Sequence, residues 1–183
     1  MKKIYILNGV GTSGKGVFVD FVNKYIPTYK YSIVDLPKEA AKILGWDGGK
    51  TEKDRKFLSD ILDLATKYND SPFVDVEHIV RDFNSNLIED EVLIIDMRDP
   101  IDIARAVKIF GAETIFIRNP NVKKIESNHA DANVEKYKYD YIIENDGTLA
   151  QLDKVANIFC RDVIRGSYIS NKHKPSLLTC SKY

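Results

Sequence analysis

The sequence predicts an α/β fold in which a parallel sheet carries helices on both faces. Three observations predict it. Five short apolar runs rich in Ile, Val and Tyr recur along the chain, most without a clean polar alternation, as strands buried on both faces of a parallel sheet do. Between them lie segments with apolar residues at helical spacing, and alternating strands and helices build βαβ units with right-handed crossovers. A glycine-rich stretch links the first run to the first helical pattern. At 183 residues the chain is long enough for one core burying about 70% of the unfolded surface, with room for an inserted lid.

The strand candidates are KIYIL (3–7), YSIV (31–34), VLIID (92–96), TIFIR (114–118) and YDYIIE (139–144). The first helix follows Gly14 and presents Phe18, Phe21, Val22 and Tyr25 at i, i+3, i+4 and i+7. A second runs from Thr51 to Tyr68, where Thr51 and Asp54 form a capping box ahead of Phe57, Leu58, Ile61, Leu62 and Ala65. A third follows Pro72 with Phe73, Val76, Val80, Phe83 and Leu87. A fourth begins at Asp99-Pro100, an N-cap followed by proline at the first helical position, and buries Ile101, Ala104 and Val107 or their neighbours. The last begins at the Thr148–Gln151 capping box and carries Leu152, Val155, Ala156 and Phe159. Residues 37–90 hold an inserted helical flap and 119–138 a polar lid. Residues 1–165 form the domain, and 166–183 read as a loose tail or a short packed-back extension.

Composition narrows the function classes. Lys plus Arg and Asp plus Glu are each 27, a net charge of zero, whereas a sequence-blind nucleic-acid binder carries a basic excess. Cys160 and Cys180 make neither a disulfide framework nor a CxxC zinc site, and Cys160 on its helical face reads as an inert buried thiol. The apolar run Ile4 to Leu7 is too short for a signal peptide, and no stretch approaches the ~20 apolar residues of a membrane span. The expected compartment is the reducing cytoplasm, and the expected state a monomer or homodimer.

The chemistry centres on GVGTSGKG at 9–16, where Gly9 and four further residues precede Gly14-Lys15. This is the G-x-x-x-x-G-K spacing of a phosphate-binding loop, set between a strand and a helix as that loop requires. Glycines let the backbone take positive φ and approach an anion closely. Successive N–H groups and the helix N-terminus then point at it, and Lys15 neutralises β- and γ-phosphate oxygens. Gly9, Gly11, Thr12, Ser13, Gly14, Lys15, Gly16 and Val17 are the candidate nucleotide-binding residues. Gly16 stands where the motif has Ser or Thr, and Val17 supplies no hydroxyl either. Three readings stay open: Mg²⁺ is held through water by an acid such as Asp96, Thr12 or Ser13 contributes, or nucleotide binds without turnover. Asp96 closes the VLIID run at the carboxyl end of a strand, the place for an Mg²⁺-orienting acid. Arg98, two residues on, is placed to grip a phosphate bidentately.

With these residues in view, the chain resembles P-loop nucleoside monophosphate kinases, in particular phage and bacterial deoxynucleoside monophosphate kinases, and its Gly-Lys-Gly step is similar to that of adenylate kinases. GWDGGKTEKDRKFLSDI (45–61) resembles the family's acceptor region, IIDMRDP (94–100) its Asp-x-Arg strand end, SNHAD (127–131) its lid motif with Ala130-Asp131 in place of Ser-Glu, and YDYIIENDGTLAQL (139–152) its final strand. The resemblance implies a five-stranded parallel sheet of order 2-3-1-4-5, ATP with Mg²⁺ as donor, and a nucleoside monophosphate, most naturally a deoxynucleotide, as the small phosphorylated acceptor. It implies that the loop holding Asn145 lies beside the donor base. Asp35, Lys38, Trp46, Arg55 and, in the lid, His129 become candidate acceptor contacts, and Arg118 the candidate transition-state cation. Two other readings stay open: a nucleotide-binding module without catalysis, and a kinase for a non-nucleotide small molecule.

Overall fold

The computed structural model describes residues 2–122, 137–166 and 177–179. Six parallel strands form one sheet: β1 (Lys3–Asn8), β2 (Thr28–Ser32), β3 (Val92–Asp96), β4 (Glu113–Arg118), β5 (Tyr141–Glu144) and β6 (Leu177–Thr179), in the order β2-β3-β1-β4-β5-β6. The helices are α1 (Lys15–Tyr25), α2 (Asp35–Ile43), α3 (Glu52–Asn69), α4 (Ser71–Ser85), α5 (Pro100–Phe110) and α6 (Leu149–Ile158), the last running into a π-helical turn at Phe159–Ile164. The sheet thus has the expected 2-3-1-4-5 order plus one strand. The sixth comes from the segment after 166, where Leu178 is buried beside β5; three residues are too few to carry a readable period.

Each central strand feeds both faces. Tyr5 and Leu7 of β1, Val92 and Ile94 of β3, and Ile115 and Ile117 of β4 join Phe18, Val22, Leu152 and Phe159 in a core under α1 and α6. Phe159 meets the rings of Tyr5, Phe18 and Tyr141 edge-on at centroid distances of 5.3, 5.7 and 5.7 Å. On the opposite face Ile6, Leu93, Ile95 and Met97 pack against Phe73, Val76, Val80 and Phe83 of α4 and Ile103 and Ala106 of α5. Within the inserted segment, α4 is therefore core, while α3 buries no residue.

Three elements depart from the sequence expectation. The second strand lies at 28–32 rather than 31–34, so Asp35 does not end it but opens α2, its Oδ2 accepting the Ser32 N–H at 2.9 Å. Pro37 falls within the first turn of α2, where a missing N–H costs nothing. The buried stripe of α5 is Ile103 and Ala106, and Ile101 points to solvent; the Asp99 cap, whose side chain accepts the Ile101 N–H at 2.7 Å, sets that rotation. Leu87 lies beyond the end of α4 and is 97% exposed. Both capping boxes form as expected, at Thr51–Asp54 and Thr148–Gln151. Cys160 is free and buried, and burial pushes its thiol up to about 12, which leaves it unreactive. No described helix is long and apolar enough to cross a membrane.

Candidate functional site

The glycine-rich loop connects β1 to α1 at the carboxyl edge of the sheet, beside the point where β1 separates β3 from β4. In open α/β sheets this switch of direction is where ligands bind. Three loop residues take positive φ: Gly9 at 151°, Thr12 at 67° and Gly14 at 97°. The two glycines are also places of close approach. A Cβ on Gly9 would sit 2.5 Å from the Ile117 carbonyl oxygen, and one on Gly14 would collide with the Asn145 amide nitrogen. The loop closes on itself through Ser13 N–H to the Val10 carbonyl at 3.1 Å, and α1 begins with Phe18 N–H to the Gly14 carbonyl at 2.9 Å. Lys15 folds back over the loop, donating to the Gly9 carbonyl at 2.5 Å and the Val10 carbonyl at 3.4 Å. Thr12 is exposed and donates to the Gly11 carbonyl. Ser13 is buried, and its Oγ has no hydrogen-bond partner among the described residues.

Neighbouring strand ends hold the loop. Asn8, fully buried at the end of β1, accepts the Gly9 N–H at 2.7 Å and donates Nδ2 to the Tyr139 hydroxyl at 2.7 Å and the Arg98 carbonyl at 3.3 Å. Burial raises the Tyr139 phenol well above its ordinary value, so it stays a neutral hydroxyl. Asn145, just past β5, donates to the Ser13 carbonyl at 2.9 Å, and its N–H reaches the Arg118 carbonyl at 2.7 Å. The sequence singled out neither Asn8 nor Tyr139; the one signal was a polar residue closing an otherwise apolar strand.

Asp96 is in register with Leu7 of β1 and Ser32 of β2, and strand parity puts it on the α1 face with Val92 and Ile94. Its Oδ1 is buried without a hydrogen-bond partner among the described residues. Arg98 follows at the same edge, its backbone tied to Asn8. The arrangement therefore brings together the loop, Asp96, Arg98 and Asn145. Arg118 ends β4 at this edge, with its guanidinium paired to Glu144 at 2.7 Å. Asp35 and Lys38 lie near the adjoining end of β2, bonded to each other at 2.6 Å. Trp46 belongs to the α2–α3 connection and Arg55 to the first turn of α3: Trp46 N–H donates to the Ala41 carbonyl at 2.9 Å, and Arg55 Nε to the Lys50 carbonyl at 3.2 Å. Neither has a described hydrogen bond to the loop, and the Trp46 Nε1 is buried without a partner among the described residues. His129 lies outside the described residues.

Gly16 and Val17 lie in the first turn of α1, Val17 partly exposed. Around Gly16 there is room: among the described residues outside α1, a Cβ there would meet only the Lys30 Nζ, at 3.7 Å. Among the described residues no cluster of three or more His, Cys, Asp or Glu side chains could hold a metal ion by protein ligands alone. Mg²⁺ does not need one, because it binds through one or two carboxylates, water and substrate phosphates. The orphaned, buried Asp96 Oδ1 beside the phosphate loop fits that donor set.

No protein-family model matches the chain, and no curated protein matches it. Among solved structures, shikimate kinase from Aquifex aeolicus is 13% identical with a TM-score of 0.47, over 91% of this chain and 100% of that one. Thymidylate kinase from Ehrlichia chaffeensis is 13% identical with a TM-score of 0.30, over 88% of each chain. Thymidylate kinase from Candida albicans is 11% identical with a TM-score of 0.35, over 97% of this chain and 82% of that one. Similarity at this level does not bear on substrate or activity.

Proposed function

We propose that this protein transfers the γ-phosphoryl group of ATP to a small phosphorylated acceptor, a nucleoside monophosphate and in particular a deoxynucleotide. The observation that carries the reading is the loop itself. Glycines with positive φ, an N-terminal helix end and Lys15 converge at a strand switch point, with, on the next strand, a buried carboxylate oxygen that has no partner among the described residues. The acceptor class rests on the resemblance of residues 45–61 and 94–100 to the acceptor segments of monophosphate kinases.

In this reading the backbone N–H groups of residues 11–16 hold the β- and γ-phosphates, and Lys15 exchanges the Gly9 and Val10 carbonyls for phosphate oxygens. The acceptor oxygen attacks the γ-phosphorus in line, the bond to the β-phosphate oxygen breaks, and ADP leaves. Little covalent work falls to the protein, so its contribution is positioning and charge stabilisation. Asp96 would hold Mg²⁺, directly or through water, and the ion would supply neutralisation of the charge that develops on the phosphates. Arg98 holds the acceptor phosphate at the end of β3. Arg118 reaches the transferred group by giving up Glu144, an exposed pair worth only about 0–1 kcal/mol. Asn145 keeps the loop open by anchoring Ser13, and its own loop lies beside the donor base. Asp35, Lys38, Trp46, Arg55 and His129 remain the acceptor-side candidates.

The test is ADP release from Mg-ATP against a panel of ribo- and deoxynucleoside monophosphates and non-nucleotide hydroxyl acceptors, with Lys15→Ala as control. Turnover that requires one or a few monophosphates and is lost in the variant supports the reading. A response confined to a non-nucleotide acceptor replaces the acceptor class. Nucleotide bound with a flat panel makes the protein a binding module.

A further inference from the structure

We propose that Lys30 is a second phosphate-binding cation of this site, its ammonium occupying the room that the missing side chain of Gly16 leaves at the start of α1. The inference rests on the phosphate-loop reading above.

Strand parity puts Lys30 on the correct face. It is in register with Ile94 on β3, which lies in the core beneath α1, and it is two residues before Ser32, which is in register with Asp96. The side chains of Lys30, Ser32 and Asp96 therefore leave the sheet on the α1 side. Distance confirms the direction, because the Lys30 Nζ lies 3.7 Å from where a Cβ on Gly16 would be, with no other atom from outside α1 within 4 Å among the described residues. At this position the phosphate-loop motif has Ser or Thr. This chain presents an ammonium there instead.

Charge says what that ammonium awaits. The N-terminus of α1 already carries partial positive charge, and Lys15 stands at its first residue. A second lysine brought to the same helix end is repelled unless an anion joins them. The Lys30 ammonium makes no hydrogen bond or ion pair among the described residues. The buried Ser13 hydroxyl of the same loop, without a partner among the described residues, is a second group prepared for a ligand. An oxyanion bearing several charges, such as a di- or triphosphate, meets all of these groups together. Lys30 accordingly offsets phosphate charge that the direct hydroxyl–Mg²⁺ contact would otherwise offset. The competing account is that Lys30 is simply a solvated lysine on an edge strand, where such residues discourage edge-to-edge pairing.

Calorimetric titration with inorganic tripolyphosphate and with ATP, in EDTA so that no metal bridges the phosphates, separates these accounts. The variants are Lys30→Gln, Lys30→Arg and Lys15→Ala, with adenosine as the phosphate-free control. The expected result is an affinity for both phosphates about tenfold weaker in Lys30→Gln, as for loss of one charge-assisted contact. Lys30→Arg should retain most of the affinity, adenosine binding and Tm should be unchanged in Lys30→Gln, and its salt dependence should be shallower. If Lys30→Gln binds both phosphates like wild type while Lys15→Ala does not, the proposal is overturned and the phosphate loop stands. If the unaltered protein binds neither phosphate, both fall together.

Discussion

Asn145 donates its side-chain amide to the carbonyl oxygen of Ser13 at 2.9 Å, so the end of β5 holds the middle of a loop 132 residues earlier in the chain. The bond orients the Ser13–Gly14 peptide, whose geometry starts α1. Replacing Asn145 with alanine leaves the Ser13 carbonyl without this donor, a loss of about 1 kcal/mol in stability. The larger effect should be on the ligand: ATP affinity falls several-fold as the loop N–H groups lose their common direction. Thermal melting and nucleotide titration of Asn145→Ala check both. Unchanged affinity would make the contact a packing detail.

Gly9 and Gly14 should fail differently when replaced by alanine. At Gly14 the obstacle is the Asn145 amide, a side chain, together with a φ of 97°. At Gly9 it is the Ile117 carbonyl, which belongs to the backbone of β4 and cannot turn aside. Gly9→Ala is therefore expected to lower Tm more than Gly14→Ala. Adding Asn145→Ala should recover part of the Gly14→Ala loss and none of the Gly9→Ala loss. A double-mutant cycle measures this directly; equal recovery at both positions would contradict the assignment of the clashes.

What the sequence made legible follows from how local each feature is. β1, β3 and β4 are buried on both faces, and their apolar runs are continuous, so they stood out. β2 is an edge strand with Tyr29 and Lys30 exposed, which moved its apparent apolar run toward 31–34. α2 was missed because Pro37 reads as a break until its place in the first turn is known. The loop residues 9–17 were legible because their chemistry lies in adjacent positions. Asn8 with Tyr139, and Gly16 with Lys30, were not, because Tyr139 comes from the far side of β4, 131 residues along the chain, and Lys30 meets Gly16 only after the chain reverses from α1 into β2.

Asp96 offers a test in which stability and activity should part. Its Oδ1 is buried without a hydrogen-bond partner among the described residues, and a buried, unsatisfied acceptor costs free energy in the folded state. Asp96→Asn keeps the shape and removes the charge. Its Tm should equal or exceed that of the unaltered protein, while Mg²⁺-dependent turnover falls at least about tenfold, or about 1.4 kcal/mol of transition-state stabilisation. Thermal melts beside steady-state rates decide it. A large fall in Tm would make the carboxylate structural, and unaltered turnover would remove it from the mechanism.

Asp102, in the first turn of α5, predicts a pH dependence of stability unrelated to the phosphate loop. Burial raises its carboxyl to about 6, with the nearby Asp99 and Asp70 carboxylates adding to the rise and Arg105 opposing it. Arg105 is itself committed to Asp70 at 2.5 Å and to the face of Phe73. The folded state therefore holds a proton that the unfolded chain, with an ordinary value near 3.8, has already lost. Between about pH 4 and 6 the folded form binds more protons, so stability falls as pH rises through that window and levels off above it. Asp102→Asn removes the charge that must otherwise be desolvated. The variant should melt higher than the unaltered protein at pH 7.5, by about 1 kcal/mol after allowance for solvent screening at a half-buried site, and close to it at pH 4. Melting curves of both proteins from pH 4 to 8 check this. A constant offset across the range would mean that the substitution acts through packing or the helix N-terminus, whereas an offset that opens between pH 4 and 6 identifies the titrating carboxyl.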